Sequence, residues 1–162
     1  MNHLENFSIK KAGEKDVPII LNFIKLLSVY EKLEHEVDAT EEKLAETIFG
    51  GNSNVECIIG YIDAEPVAFA LYFFNYSTFK AKHGLYLEDI FVLPEMRGKG
   101  IGKTMLLRLA QIAKENNCGR FEWSVLKWNK PAVDFYLSLG AKPLDEWTVF
   151  RLDENAISKL IN

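Results

Sequence analysis

Arg97-Gly98-Lys99-Gly100-Ile101-Gly102-Lys103 is the stretch on which the reading of this chain turns. It stands between an apolar run, Leu85–Leu93, closed by Pro94, and a segment, Gly100–Asn117, in which Ile101, Met105, Leu109 and Ile112 recur at helical spacing. The predicted order is therefore strand, glycine-rich turn, helix. Glycine lets the backbone take left-handed conformations and lets a ligand approach closely. The first N–H groups of a helix have no partner within it and carry partial positive charge, which suits a phosphate or pyrophosphate. Arg97, Lys99 and Lys103 bring cationic charge to the same place. The spacing leaves two readings open, an anion cradle and a plain glycine-rich turn.

Counting removes two common phosphate motifs. A Walker A loop ending in Gly102-Lys103-Thr104 requires glycine where the chain has Arg97. A dinucleotide fingerprint, G-x-G-x-x-G, requires glycine at Lys103 if it starts at Gly98, and at Met105 if it starts at Gly100. What remains is Arg-x-x-Gly-x-Gly.

Outward from the loop the chain alternates in type. Phe7–Ala12 has the two-residue period of a strand. Asp16 is placed as an N-cap with Pro18 in the first turn, and Ile20, Phe23, Ile24, Leu27 and Tyr30 then predict a helix to about Lys32. Thr40 caps a second helix that stops at Gly50-Gly51. Glu56–Ile62 and Val67–Ser77 read as strands joined by the turn Asp63–Pro66. Beyond the long helix, Phe121–Leu126 reads as a strand and Asn129 caps a helix ending at Gly140. Trp147–Leu152 reads as a last strand, and Asp153 caps a terminal helix. The order predicts one α/β (α+β) layer domain over residues 1–162.

Composition narrows the function. The 162 residues carry 19 Lys+Arg against 23 Asp+Glu, a net charge of −4, which argues against a broad basic surface for nucleic acid and leaves cationic small molecules as partners. The longest uncharged stretch, Pro66–Phe79, falls short of the ~18 apolar residues of a spanning helix. Met1-Asn2-His3-Leu4-Glu5 has neither the basic flank nor the apolar core of a signal peptide. Cys57 and Cys118 stand alone, so no metal site is expected and a reduced, cytoplasmic setting is.

Glu88 and Asp89 interrupt a run of Leu, Tyr, Ile, Phe and Val. In a regular strand they face opposite sides of the sheet. A buried carboxylate is costly unless paired or hydrogen-bonded, so one of them is expected to line a polar cavity, the alternative being an exposed edge or a local backbone cap. In the segment after Asn129, Ala132, Phe135, Tyr136 and Leu139 form the stripe of an ordinary core helix.

Taken together, these segments resemble a known family. Arg-x-x-Gly-x-Gly after an apolar strand resembles the acetyl-CoA pyrophosphate loop of the GNAT superfamily of N-acetyltransferases. Leu85-Tyr86-Leu87-Glu88-Asp89-Ile90-Phe91-Val92 and Trp128-Asn129-Lys130-Pro131-Ala132-Val133-Asp134-Phe135-Tyr136 resemble its diamine acetyltransferases, the group that includes spermidine/spermine and thialysine acetyltransferases. Tyr30-Glu31-Lys32-Leu33 and Tyr76-Ser77-Thr78-Phe79-Lys80 are similar to the thialysine branch. The likeness runs from about Ser8 to Leu152.

The resemblance implies a mixed, mostly antiparallel twisted sheet flanked by helices, with Leu85–Leu93 and Phe121–Leu126 splayed to admit acetyl-CoA. It implies that Ile90, Phe91 and Val92 hold the pantetheine arm and acetyl carbonyl through their backbone. Arg97, Gly98, Lys99, Gly100, Ile101, Gly102 and Lys103 would hold the pyrophosphate, and Asn129, Lys130, Pro131, Ala132, Phe135 and Tyr136 would complete the acetyl-CoA site. Tyr30, Glu31, Glu88, Asp89, Glu122, Trp123, Ser124 and Trp147 would contact a small cationic amine. It further implies a homodimer, and no nucleic acid or membrane partner.

Two catalytic roles follow from the same resemblance. A primary amine near pKa ~10.4 is free in only about one molecule in ~2,500 at pH 7, and removing its proton is equivalent to roughly 4–5 kcal/mol. Glu88 is implied as the group that receives it, directly or through water. Tyr136 is implied as the acid beside the departing thiolate. A thiol near ~8.5 and a phenol near ~10 make that transfer uphill by roughly 2 kcal/mol, so Tyr136 either has a lowered pKa or acts as a hydrogen-bond donor. Other acceptors (an antibiotic, an amino acid or a protein amine) and a non-catalytic acyl-CoA-binding module are the competing readings.

Overall fold

Five strands and five α-helices follow one another in the computed structural model, which describes residues 5–161; the stretch Met1–Leu4, read above for a targeting signal, lies outside them. In chain order they are β1 (Phe7–Lys11), α1 (Val17–Glu31), α2 (Glu41–Phe49), β2 (Val55–Ile62), β3 (Glu65–Ser77), β4 (Lys82–Val92), α3 (Ile101–Glu115), β5 (Arg120–Trp123), α4 (Lys130–Ser138) and α5 (Glu154–Leu160). The described chain falls into two compact units, one ending at Ser124 and one beginning at Val125.

The first unit holds the whole sheet, in the order β1-β2-β3-β4-β5. The first three pairings are antiparallel, β2–β3 and β3–β4 as hairpins and β1–β2 with α1 and α2 between them, and the last, β4 with β5, is parallel. A parallel pair needs a crossover, and α3 supplies it. The predicted mixed, mostly antiparallel sheet is thus present. The β4–β5 ladder runs only from Gly84–Arg120 to Leu87–Trp123, while β4 continues to Val92. The last five residues of β4, Glu88–Val92, extend beyond their neighbour, which is the expected splay.

Each face of the sheet is closed by apolar helix surface. Val17, Ile20 and Phe23 of α1 and Leu44 and Ile48 of α2 pack on Cys57, Ile59, Phe69 and Phe91, with Phe23 stacked on Phe69 at 5.2 Å between ring centroids. Ile101, Met105, Leu109 and Ile112 of α3 are buried, the stripe that the sequence spacing marks. Full burial of one such side chain stabilises by about 1.5–3 kcal/mol. Gly60 permits this closeness: a Cβ there would stand 2.8 Å from the Phe7 ring.

Three helix caps form as read. Thr40 Oγ1 accepts from Lys43 N, Asn129 Oδ1 from Ala132 N and Asp153 Oδ1 from Ala156 N. Asp16 precedes α1 as expected but makes no side-chain cap. A 3-10 turn, Glu14–Asp16, leads into the helix, and the Asp16 carboxylate instead accepts from Gly13 N at 2.8 Å. The Asp63-Ala64 turn has positive φ at both residues, the geometry of a tight hairpin.

Two strand expectations are corrected. β5 stops at Trp123 rather than Leu126, because its ladder with β4 ends there. Trp147–Leu152 forms no strand: among the described residues the sheet ends at β5, so this run has no ladder partner. Trp147, Val149 and Phe150 are largely exposed instead. β-propensity without a neighbouring strand does not hold a ladder.

Candidate functional site

The register of β4 against β3 contains one irregularity, and it falls at the paired carboxylates. Tyr72 lies opposite Leu87 and Leu71 opposite Asp89, so Glu88 is the extra residue of a β-bulge. The bulge changes which residues share a face. Before it, Tyr86 lies opposite Phe73 and faces with it; after it, Asp89 lies opposite Leu71, which packs on the α1–α2 core. Leu87 and Leu85 turn the other way and are fully buried. The extra residue relieves Glu88 and Asp89 of the strict alternation that would set them on opposite faces.

An acidic corner results. Burial first, then the charges of Glu88 and of Glu31, pushes the Asp89 carboxyl up to about 6. Burial also raises the Glu31 carboxyl, at the last residue of α1. Glu88 itself is exposed. Glu88 and Glu31, from two elements, thus lie near enough to Asp89 for their charges to act on it. Like charges so placed favour a cation among them.

The glycine loop leaves β4 through a 3-10 turn, Pro94–Met96. Gly98 and Gly100 have φ of 74° and 86°, which other residues rarely adopt, and a Cβ on Gly98 would meet nothing within 4 Å. Gly100 caps α3, and no side chain caps its first turn. The opening N–H groups of this helix are therefore presented as the anion reading requires. Lys103 is exposed on that first turn, and Lys99 Nζ lies 3.3 Å from Met96 Sδ. Arg97 turns away from the loop: its guanidinium lies 4.5 Å from the centre of the Tyr30 ring and 5.2 Å from that of Phe91, and Nε donates to the Val92 carbonyl at 3.1 Å.

The β5 residues divide. Glu122 lies opposite Tyr86 and Trp123 opposite Leu87, so they belong to opposite faces. Glu122 is held by Arg120 Nε at 2.9 Å and by Asn75 Nδ2 at 3.5 Å. Trp123 meets Phe121 edge to face at 4.9 Å. Ser124 Oγ lies 2.8 Å from the hydroxyl of Tyr86. Tyr86, which packs on Phe73 at 5.2 Å, shares the face of Asp89, a placement set by cross-strand register.

The remaining expected residues lie in the second unit. Asn129 is buried and caps α4, with Lys130, Pro131 and Ala132 in its first turn. Lys130 Nζ pairs with Asp134 at 2.8 Å. Phe135 and Tyr136 are half-buried neighbours, 5.5 Å between ring centroids. Trp147 is exposed, in a turn where its N–H donates to Leu144. Among the described residues no cluster of three or more His, Cys, Asp or Glu is placed to hold a metal ion, and no helix is long and apolar enough to cross a membrane.

Comparison with known proteins agrees with this geometry. The sequence pattern of the Acetyltransferase (GNAT) family matches residues 22–141. The chain belongs to the GNAT acetyltransferase family. Thialysine N-epsilon-acetyltransferases from Sus scrofa and Bos taurus are 40% and 39% identical to it, over 94% of this chain and 95% of theirs. An integron cassette protein from the mobile metagenome of V. cholerae superposes with a TM-score of 0.81 at 30% identity, covering 96% of this chain and 98% of the other.

As a GNAT enzyme the chain is an N-acetyltransferase, and its family draws the acetyl group from acetyl-CoA. The open glycine loop and the uncapped start of α3 fit the polyanionic end of that molecule. The extended end of β4 offers backbone N–H and C=O groups beyond its ladder with β5. The acidic corner begins where that end begins, at Glu88.

Proposed function

We propose that this enzyme acetylates a primary amine of a small cationic substrate of the diamine, polyamine or thialysine type, by direct attack on acetyl-CoA in a ternary complex. The acidic corner of Glu31, Glu88 and Asp89, on the same unit as the glycine loop, carries this reading. A substrate with two or more ammonium groups is matched by more than one carboxylate. The similarity to thialysine acetyltransferases over nearly the whole chain supports it.

In this mechanism the loop from Gly98 to Lys103 receives the pyrophosphate, and the backbone of Ile90, Phe91 and Val92 aligns the pantetheine arm and polarises the thioester carbonyl. Tyr30, Glu31 and Asp89 hold the distal charge of the amine. Glu88, exposed in its bulge, takes the proton of the attacking ammonium directly or through water. Tyr136 protonates, or donates a hydrogen bond to, the departing thiolate. Holding both reactants in line supplies much of the rate. Asn129, Lys130, Pro131, Ala132 and Phe135 support the acyl donor, and Trp147 and Ser124 the acceptor.

Residues 1–162 are proposed to work as one catalytic domain, in a cytoplasmic homodimer, with neither nucleic acid nor membrane as partner. Glu122 and Trp123 carry less of this reading, since Glu122 is already paired with Arg120 and Trp123 lies on the other face. Thiol release from acetyl-CoA, measured across diamines, polyamines, thialysine, lysine and aminoglycosides, tests it. The expected result is turnover with the first three classes. Turnover only with lysine or aminoglycosides would replace the acceptor, and tight acetyl-CoA binding with no acceptor at all would leave a binding module.

A further inference from the structure

The side chain of Tyr30 belongs, by resemblance, to the amine, yet in the structure its ring lies under Arg97, the first residue of the cofactor loop motif. The guanidinium is 4.5 Å from the Tyr30 centroid and 5.2 Å from that of Phe91, while Tyr30 and Phe91 meet edge to face at 6.4 Å. Nε of Arg97 donates to the carbonyl of Val92 at 3.1 Å. One planar cation therefore touches the end of α1, the core side of β4 and the last peptide of β4, immediately before Gly98. Arginine serves such a place because its flat, delocalised charge stacks on rings while its edge donates. A loop with two glycines at positive φ and no side-chain cap at α3 gains rigidity from such an anchor.

We propose that Tyr30 is a positioning residue for the cofactor loop: its ring holds the Arg97 guanidinium against Val92, and this clamp sets the backbone that receives a pyrophosphate. Arg97 then acts through its stacking and its bond to Val92, and not as one more charge offered to the phosphates. Lys99 and Lys103 are left to supply that charge. The proposal rests on the reading of the loop as the acetyl-CoA pyrophosphate site, but it needs no assignment of the amine.

Equilibrium binding of CoA, measured calorimetrically without any amine, tests it on the full chain. Tyr30→Leu is expected to weaken CoA binding roughly 3- to 10-fold, the range of a stacked cation, and Tyr30→Phe, which keeps the ring, to bind within twofold of the wild type. Arg97→Gln and Arg97→Lys should fall together, because lysine keeps the charge but not the flat stack. The double variant Tyr30→Leu/Arg97→Gln should bind no more weakly than Arg97→Gln alone, since both substitutions remove one clamp. Thermal melts establish that each variant is folded. Full affinity in a folded Tyr30→Leu, or in Arg97→Lys, would overturn the proposal, the second outcome marking Arg97 as a direct phosphate ligand. Should Tyr30→Leu not fold, Arg97→Lys and Tyr30→Phe decide it alone. A wild type that binds no CoA would instead overturn the acetyl-CoA reading of the loop itself, and with it the ground on which the clamp is argued.

Discussion

Asp89 lies directly across the β3–β4 ladder from Leu71, so its carboxyl shares a face with the apolar surface that packs against α1 and α2. That placement, with the charges of Glu88 and Glu31 added, is why its pKa stands near 6.

The first prediction concerns stability against pH. A carboxyl whose folded pKa lies above its ordinary value keeps its proton in the folded state through the interval from about pH 4 to about pH 6. The folded state is favoured at the acid end and loses that advantage as pH rises through 6. By about pH 8 the ionised group costs the empty enzyme up to about 3 kcal/mol. Asp89→Asn should therefore unfold at higher denaturant than the wild type at pH 8, by about 1–3 kcal/mol, and show a flatter stability profile between pH 4 and 7. Urea titrations at pH 5 and pH 8 measure both. An Asp89→Asn variant less stable than the wild type at pH 8 would mean that hydrogen bonds to the carboxylate outweigh its burial.

Local signals in the sequence carried most of the fold, and pairwise ones did not. Thr40, Asn129 and Asp153 are legible as caps because a cap needs only the residue and the donors that follow it. The α3 stripe is legible for the same reason. The bulge at Glu88 is invisible in the chain, since it is defined by which residue of β3 faces which residue of β4. The run Trp147–Leu152 shows the reverse: its local pattern is that of a strand, and the missing partner decides otherwise. At the site, the glycine loop and the two carboxylates were marked by residue type. The Arg97–Tyr30 stack and the Asn75–Glu122 hydrogen bond were not, because each joins segments far apart in sequence.

A second prediction tests the packing that holds β5. A Cβ added to Gly84 would collide with Asn75 Oδ1 and come within 2.8 Å of Arg120 Cγ. Asn75 and Arg120 are the two groups that hold Glu122. Gly84→Ala should thus destabilise by about 1–3 kcal/mol, the usual cost of overpacking, as measured by urea unfolding. Arg120→Ala in the same background should recover part of the loss by making room. No recovery would place the strain on Asn75 alone.

The third prediction addresses Tyr136. In the second unit it is half-buried beside Phe135, a position that suits packing as well as chemistry. If its hydroxyl assists the leaving thiolate, Tyr136→Phe should lower kcat by about 100-fold or more, the range of general acid catalysis, while acetyl-CoA affinity stays nearly unchanged. Turnover within twofold of the wild type would return Tyr136 to a packing role.

The last prediction separates Glu88 as a base from Glu88 as one more negative charge. At pH 7 about one amine in ~2,500 is unprotonated, and at pH 9 about one in ~25. A base is needed less as the solvent takes over its work. Glu88→Gln should therefore lower kcat/KM by about 100-fold at pH 7, and the deficit should shrink steadily toward pH 9. A residue that only attracts the cation behaves differently: Glu31→Gln should raise KM for the amine with little change in kcat, and by a similar factor at pH 7 and pH 8. Steady-state profiles of the two variants against the wild type, from pH 6.5 to 9, resolve the roles. A Glu88→Gln deficit that is constant across that range would assign Glu88 to binding and leave proton removal to water.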